Sequence, residues 1–306
     1  MEKPARTNLW KNRLLKTAVI GPRITGETTP FVFNGRLYRL ENHPTHLDFP
    51  KENPDFRINE SEIRIREIES NRIISSPLRR DHYFASGFVW NGRIYIFARE
   101  LLESHTHITM TSSEDLLNWT TPQIVIEPEN CERLFNTAIC RGKDKFIMLY
   151  ETDDSRWPIF TFKYCESDDL IHWARVPDAI YGRDKYVGGP SLYYEGGLYY
   201  TLYVHASGPI ELKTTNFETR ITRSSDLIHW EDAPDDRPFI TFDPTHRPDI
   251  ECYPDVYERN ASDAELCFWK GKTIVYFNGG NQLGVGDLQV AEFEGTPQAL
   301  LEHYYE

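Results

Sequence analysis

Ser113-Glu114-Asp115-Leu116-Leu117-Asn118-Trp119, Ser167-Asp168-Asp169-Leu170-Ile171-His172-Trp173 and Ser224-Ser225-Asp226-Leu227-Ile228-His229-Trp230 are three copies of one pattern, Ser-x-Asp-Leu-x-x-Trp. Three copies of a seven-residue pattern at a near-constant step mark a repeat architecture, in which each unit buries its faces against its neighbours. Ser and Asp side chains accept backbone N–H bonds in turns, which suits them to a fixed corner between two strands. Leu and Trp supply apolar surface for the seam between units. The three Asp residues therefore read as structural, because one active site does not need three copies of one residue.

A second pattern interleaves with the first. Asn34-Gly35, Asn91-Gly92, Arg141-Gly142, Glu195-Gly196 and Lys270-Gly271 each stand between apolar or aromatic runs. Asn-Gly in that setting is a two-residue hairpin signal, since both positions need positive φ. From Ser61 to Ile74, Ile63, Ile65 and Ile68 alternate with charged residues, which is a strand period. Each unit thus runs strand, glycine turn, strand, loop, strand, Ser-x-Asp-Leu-x-x-Trp, outer strand. The fold expected is an all-β, five-bladed β-propeller of four-stranded antiparallel blades. It forms one domain over 1–306, with blades starting near 27, 84, 135, 187 and 261. A terminal segment is expected to complete a blade and remove the open edge. The Pro-rich stretch from Arg237 to Asn260 is expected to fold over the axis.

The 306 residues carry a net charge of −13, so the overall field repels nucleic acid and anionic membrane. The five cysteines form no Cys-x-x-Cys pair, and Cys140 lies in an apolar run, as expected of buried thiols in a reducing compartment. Met1 to Arg6 has no apolar leader region, and no stretch is long enough to span a membrane, so a cytoplasmic location is expected. There is no Walker A loop, no His-Glu-x-x-His and no Gly-x-Ser-x-Gly. The short pairs His43/His46 and His105/His107 lack a third partner, so no metal site is assigned.

The repeat resembles the blade signature of the five-bladed propeller glycoside hydrolases, the superfamily of families 32, 43, 62, 68, 117 and 130. The resemblance spans roughly Glu27 to Glu292. It implies an axial pocket carrying catalytic carboxylates and an oligosaccharide or glycoside as substrate; no cofactor is expected, and the central channel has room for a structural ion. Family 43 enzymes carry an Asp before a Pro in blade one, an Asp in blade three and a Glu-Gly-Pro in blade four. Here those places read Thr29-Pro30, Asn136 and Gly188-Gly189-Pro190. Glu251-Cys252-Tyr253-Pro254-Asp255 is similar to the Glu-Cys-Pro-Asp of family 32, with an extra Tyr and before blade five rather than in blade four.

Glycoside hydrolysis needs two carboxyl groups, one to protonate the leaving oxygen and one to activate water or attack the sugar. The candidates are Glu27 at the start of blade one, Asp263 and Glu265 on one face of blade five's inner strand, Glu151 after the strand Phe146–Tyr150, and Glu251 in the long loop. Candidate substrate-binding residues are Asp81 and His82, Asn136, His205, Asp255 and Gln282. For Glu27 the rival reading is a solvent-facing turn, and for Asp263 and Glu265 a charged ladder. Three functions stay open: a hydrolase cleaving a terminal sugar from a small oligosaccharide, a non-catalytic sugar-binding propeller, and a sugar phosphorylase or lyase on the same scaffold. The sugar, the stereochemical outcome and the oligomeric state are not encoded in any motif.

Overall fold

The computed structural model describes residues 11–23, 26–44, 61–102, 105–158, 160–206, 215–282 and 284–306. Among these residues, twenty strands form five four-stranded antiparallel sheets. Blade one is β2 (Thr28–Phe33), β3 (Arg36–Pro44), β4 (Ser61–Glu67) and β5 (Arg72–Arg79). Blade two is β6 (His82–Trp90), β7 (Arg93–Leu102), β8 (His105–Ser113) and β9 (Gln123–Ile126). Blade three is β10 (Leu134–Arg141), β11 (Phe146–Thr152), β12 (Thr161–Ser167) and β13 (Ala174–Tyr181). Blade four is β14 (Gly188–Glu195), β15 (Leu198–Ala206), β16 (Phe217–Ser224) and β17 (Trp230–Asp232). Blade five is β18 (Ser262–Trp269), β19 (Lys272–Asn278) and β20 (Asp287–Phe293), completed by β1 (Leu15–Pro22) from the chain's beginning. The closing pairing runs from Leu15↔Glu292 to Pro22↔Asp287, so the first strand covers the edge of the last blade. Among the described residues no helix is long and apolar enough to cross a membrane.

The expected hairpins form in four blades as two-residue turns with positive φ at both central residues, for example Asn34 (48°) and Gly35 (75°). Blade three differs: Arg141 pairs with Phe146 across a longer loop, closed by Gly142 N–H to the Lys145 carbonyl at 2.9 Å.

The Ser-x-Asp-Leu-x-x-Trp turn is built identically three times. Ser113 Oγ accepts from Leu116 N at 2.9 Å, and Asp115 Oδ1 accepts from Leu117 N and Asn118 N at 2.8 and 2.7 Å. Ser167/Asp169 and Ser224/Asp226 repeat these bonds. The leucines take left-handed φ of 64°, 67° and 68°, an uncommon state for a bulky residue that the paired acceptors hold. Each leucine then enters a seam: Leu116 between blades one and two, Leu170 between two and three, Leu227 between three and four.

The two seams without the motif are filled otherwise. Between blades four and five, helix α1 (Pro297–His303), capped by Thr296, inserts Leu300 and Leu301. Between blades five and one, Ile68 packs against the cluster of Leu37, Ile274 and Tyr276. The Arg237–Asn260 stretch departs from expectation. Phe239 and Ile240 are buried in the seam of blades four and five, and Ile240 bridges Thr219 of β16. Apolar burial draws the segment to the side of blade four, and of this stretch only Asn260 lines the axial cavity.

Candidate active site

The inner strands of four blades break register at the same place. The interruption falls between Tyr83 and Ser86 in β6, Leu134 and Thr137 in β10, Gly188 and Ser191 in β14, and Ser262 and Glu265 in β18. A bulge adds one residue to a strand and re-aims its side chain. The re-aimed residues are Phe84, Phe135, Gly189 and Asp263, and all four line one axial cavity. Phe84, Gly189 and Asp263 have φ of 56°, 49° and 54°. In blade one the β2–β3 pairing is unbroken, and Glu27 reaches the cavity from just before the strand. One step below the bulges, matching register positions place Thr29, Ser86, Thr137, Ser191 and Glu265 around the channel. Thr29 Oγ1 donates to Glu265 at 3.1 Å, and Ser86 and Thr137 hydroxyls meet at 2.9 Å.

The cavity holds about 500 Å³, within the range of small-molecule sites. One wall is aromatic. Tyr83, Phe84, Phe135, Phe160 and Tyr186 form an edge-to-face chain with successive centroid distances of 4.8, 5.9, 5.0 and 6.0 Å. Behind it, the Arg99 guanidinium sits 5.9 and 5.8 Å from the Phe84 and Phe135 centroids. The opposite wall is polar, with Glu27, Glu151, Asp263, Asn260, Ser262, Asn278 and Gln282. Among the described residues no Lys, Arg or His lines the cavity.

Glu151 stands on a second strand, one position removed from the axis, where its counterpart in blade two is Ala98. It lines the cavity beside Gly188 and Gly189, bonded to the Gly189 N–H. A Cβ on Gly188 would lie 3.7 Å from Glu151 Oε2, and a Cβ on Gly189 would overlap Asp263 Oδ1. Glu151 Oε2 accepts from Gly189 N at 2.9 Å and Asn136 Nδ2 at 3.1 Å. Asp263 accepts from Ser262 Oγ and from Asn278 Nδ2 at 3.3 Å. Glu27 Oε2 is buried with no hydrogen-bond partner.

These acids lie in low dielectric with no cation among the described residues lining the cavity, and burial disfavours their charged forms. Burial pushes Glu151 up to about 8, against its Asn136 and Gly189 donors and with a smaller contribution from Asp263. Burial likewise raises Glu265 to about 8 and raises Asp263. Glu27 is raised well above the carboxylate range, by burial first and then by the charge of Asp263.

The predicted residues divide clearly. Glu27, Glu151, Asp263, Asn136 and Gln282 line the cavity, while Glu265 sits in the channel below it. Gln282 donates to Asn260 Oδ1 at 3.0 Å and Ser262 Oγ at 3.2 Å. Glu251 does not come near; its side chain is 79% exposed and 3.5 Å from Arg23. Asp255 lines a different cavity. His82 faces Glu100 at 3.6 Å and the Arg80 carbonyl at 2.9 Å, and Asp81 is exposed in the turn before it. His205 is half-buried on β15 beside Glu218 and Arg220, while its neighbour Val204 faces the cavity. Strand alternation turns Val204 and His205 to opposite faces. His46 lies outside the described residues. Phe84, Phe135, Phe160 and Tyr186 of the aromatic wall, and Asn260, Ser262 and Asn278, escaped the sequence reading. Aligning the repeats at the inner-strand start would have set Phe84, Phe135, Gly189 and Asp263 in register.

No protein-family model and no curated protein sequence matches the chain. Solved structures do match in shape. A thermostable family-43 glycoside hydrolase superposes with a TM-score of 0.68 at 12% identity, over 93% of this chain and 94% of that one. The α-L-arabinofuranosidase from Lactobacillus brevis gives 0.61 at 10% identity, over 89% and 91%. The Bombyx mori family-32 β-fructofuranosidase gives 0.58 at 11% identity, over 94% and 64%. The chain has the five-bladed propeller fold of these glycoside hydrolases. At such identities the likeness is one of fold, and the chemistry has to be argued from the site.

Proposed function

We propose that this protein is a glycoside hydrolase that binds a terminal sugar in the axial cavity and cleaves its glycosidic bond by carboxyl acid–base chemistry. The observation that carries the reading is the convergence of Glu151 and Asp263 on Gly189, with Glu27 alongside, facing an aromatic wall. A sugar ring offers an apolar face to aromatic rings and hydroxyls to carboxylates and amides.

Glu151 is the general acid in this reading. Held up to about 8, it keeps its proton at neutral pH. Both donors reach Oε2, which leaves Oε1 to carry that proton towards the leaving oxygen. Asp263 is the base or nucleophile, because Ser262 and Asn278 donate to it and favour its ionised form. Glu27, next to Asp263 and without a donor on Oε2, holds a proton. The mechanism needs no cofactor. Glu151 and Asp263 thus stand in for a fourth-blade acid that Gly188-Gly189-Pro190 cannot supply.

The test is turnover of a panel of aryl glycosides and oligosaccharides, with and without phosphate, followed by mass spectrometry. Release of free sugar that falls about 10²–10⁴-fold in Glu151→Gln and in Asp263→Asn is the expected result. Saturable sugar binding without turnover would instead make this a binding propeller. A sugar phosphate as product would indicate phosphorolysis, which the lack of a lining cation among the described residues disfavours.

A further inference from the structure

A second cavity of about 520 Å³ lies against the first. The two share a wall made of two segments, 258–260 and 279–282, joined by Arg259 N–H to the Gly280 carbonyl at 2.7 Å. Successive residues of this wall face opposite ways. Asn260, Gly279 and Gln282 line the axial cavity, whereas Glu258, Arg259 and Asn281 line the second one. The rest of the second cavity comes from the long stretch before blade five, through Phe242, Asp255 and Tyr257, and from Asn216.

Its lining is held in place before anything binds. The Tyr257 ring, 44% exposed, is fixed by Arg247, whose guanidinium lies 4.8 Å from the centroid and bonds the hydroxyl at 2.6 Å. Asn216 accepts from Arg259 at 3.3 Å. Glu258 is locked at the floor by Asp243 N at 2.8 Å, Gln289 Nε2 at 2.5 Å and Lys16 at 3.7 Å. His246 and Asp287 join at 2.5 Å beside it, so this buried cluster is satisfied internally. Presenting a fixed ring and fixed polar groups lowers the ordering cost of binding. An exposed tyrosine face beside carboxamides, a carboxylate and a guanidinium suits a hydroxyl-rich, uncharged ring, with Tyr257 as platform and Asp255 and Asn281 for hydroxyl pairs.

We infer that the second cavity is a subsite for further sugar units of the same substrate. An oligosaccharide with its terminal residue in the axial cavity continues over the Asn281-Gln282 turn onto Tyr257, and the protein selects chains of two or more units over single glycosides. This rests on the axial cavity being the sugar site, but not on hydrolysis taking place there.

The experiment is calorimetric binding of the xylose, arabinose and fructose series, from one to five units, to the intact protein, with turnover of the same sugars followed separately. In at least one series affinity should rise tenfold or more from the monosaccharide to the trisaccharide. Tyr257→Ala should abolish that gain and leave monosaccharide affinity unchanged, and Asp255→Ala should reduce it. Tyr257 is exposed, so these variants keep the fold, which thermal unfolding checks. Affinity that is flat with length, or a gain that survives Tyr257→Ala, overturns the inference. Length-dependent binding lost in Tyr257→Ala without turnover supports the subsite while removing the hydrolase reading. Failure of every series to bind overturns both.

Discussion

Two groups of buried acids lie within blade three's reach, and they are treated in opposite ways. Glu132 and Asp154, with side chains 0% and 2% exposed, both bond the buried Lys163, Asp154 at 2.8 Å. Arg156 adds a contact to Asp154 at 2.6 Å and Arg175 one to Glu132 at 3.6 Å. Arg156 and then Lys163 hold the Asp154 carboxyl well below its usual range. A few residues away on the same strand pair, Glu151 meets only the neutral donors of Asn136 and Gly189 and is pushed up. Burial is common to both groups, and the presence of a cation separates them. A compensated acid cluster holds strands together. An uncompensated one is carried at a cost to stability, and the axial cavity is where that cost has a use.

The largest way to break this contrast is to remove the cation. Lys163→Met leaves Glu132 and Asp154 buried without their shared partner and should cost about 3–5 kcal/mol in urea unfolding. A loss under 1 kcal/mol would show that the cluster is not held by charge.

Glu151→Gln has the opposite sign. Its folded pKa of about 8 lies above the ordinary 4.5, so the unfolded chain gives up this proton first as pH rises. The folded state therefore loses stability between about pH 4.5 and 8. Glu151→Gln should raise Tm at pH 9 and leave it unchanged at pH 4, while turnover falls about 10²–10⁴-fold. An equal Tm shift at both pH values would contradict the raised carboxyl. In the wild type, turnover should fall above about pH 8 as this acid ionises.

Gly189→Ala attacks the gap itself. The residue sits at φ 49°, and its new Cβ would overlap Asp263 and stand 2.9 Å from Val204. Displacing the carboxylate by even 1 Å should lower kcat/KM about 10²-fold. Unchanged kinetics would mean that Asp263 is not held by the glycine.

The smallest effect is expected far from the axis. Asp169→Ala removes the acceptor of two backbone N–H groups in one turn copy and should cost about 1 kcal/mol, with turnover unaffected, as urea unfolding and the sugar panel would show.

Much of the molecule could be read from the chain. The three Ser-x-Asp-Leu-x-x-Trp turns and the glycine hairpins carry local chemistry, so their number and spacing mark the blades. The observed inner strands begin at Thr28, His82, Leu134, Gly188 and Ser262, close to the places read from sequence. Asp263 could be singled out because an acid on a strand running into apolar residues conflicts with packing, Glu27 by its place at the start of blade one, and Glu151 by its place at the end of an apolar strand. Glu251 and Asp255 could not be separated from them, because a loop's reach depends on what it packs against. Here Phe239 and Ile240 anchor that stretch in the seam of blades four and five.

Local sequence determined the elements, since turn chemistry and strand period act over a few residues. Only the tertiary structure decided the site. The bulges turn Asp263 inward, and Gly189 of one blade leaves room for Asp263 of the next while its N–H holds Glu151 of another. Whether a buried carboxyl meets Lys163 or none is likewise set across strands. A sequence names the acid, whereas its charge state depends on neighbours that only folding brings within a few ångströms.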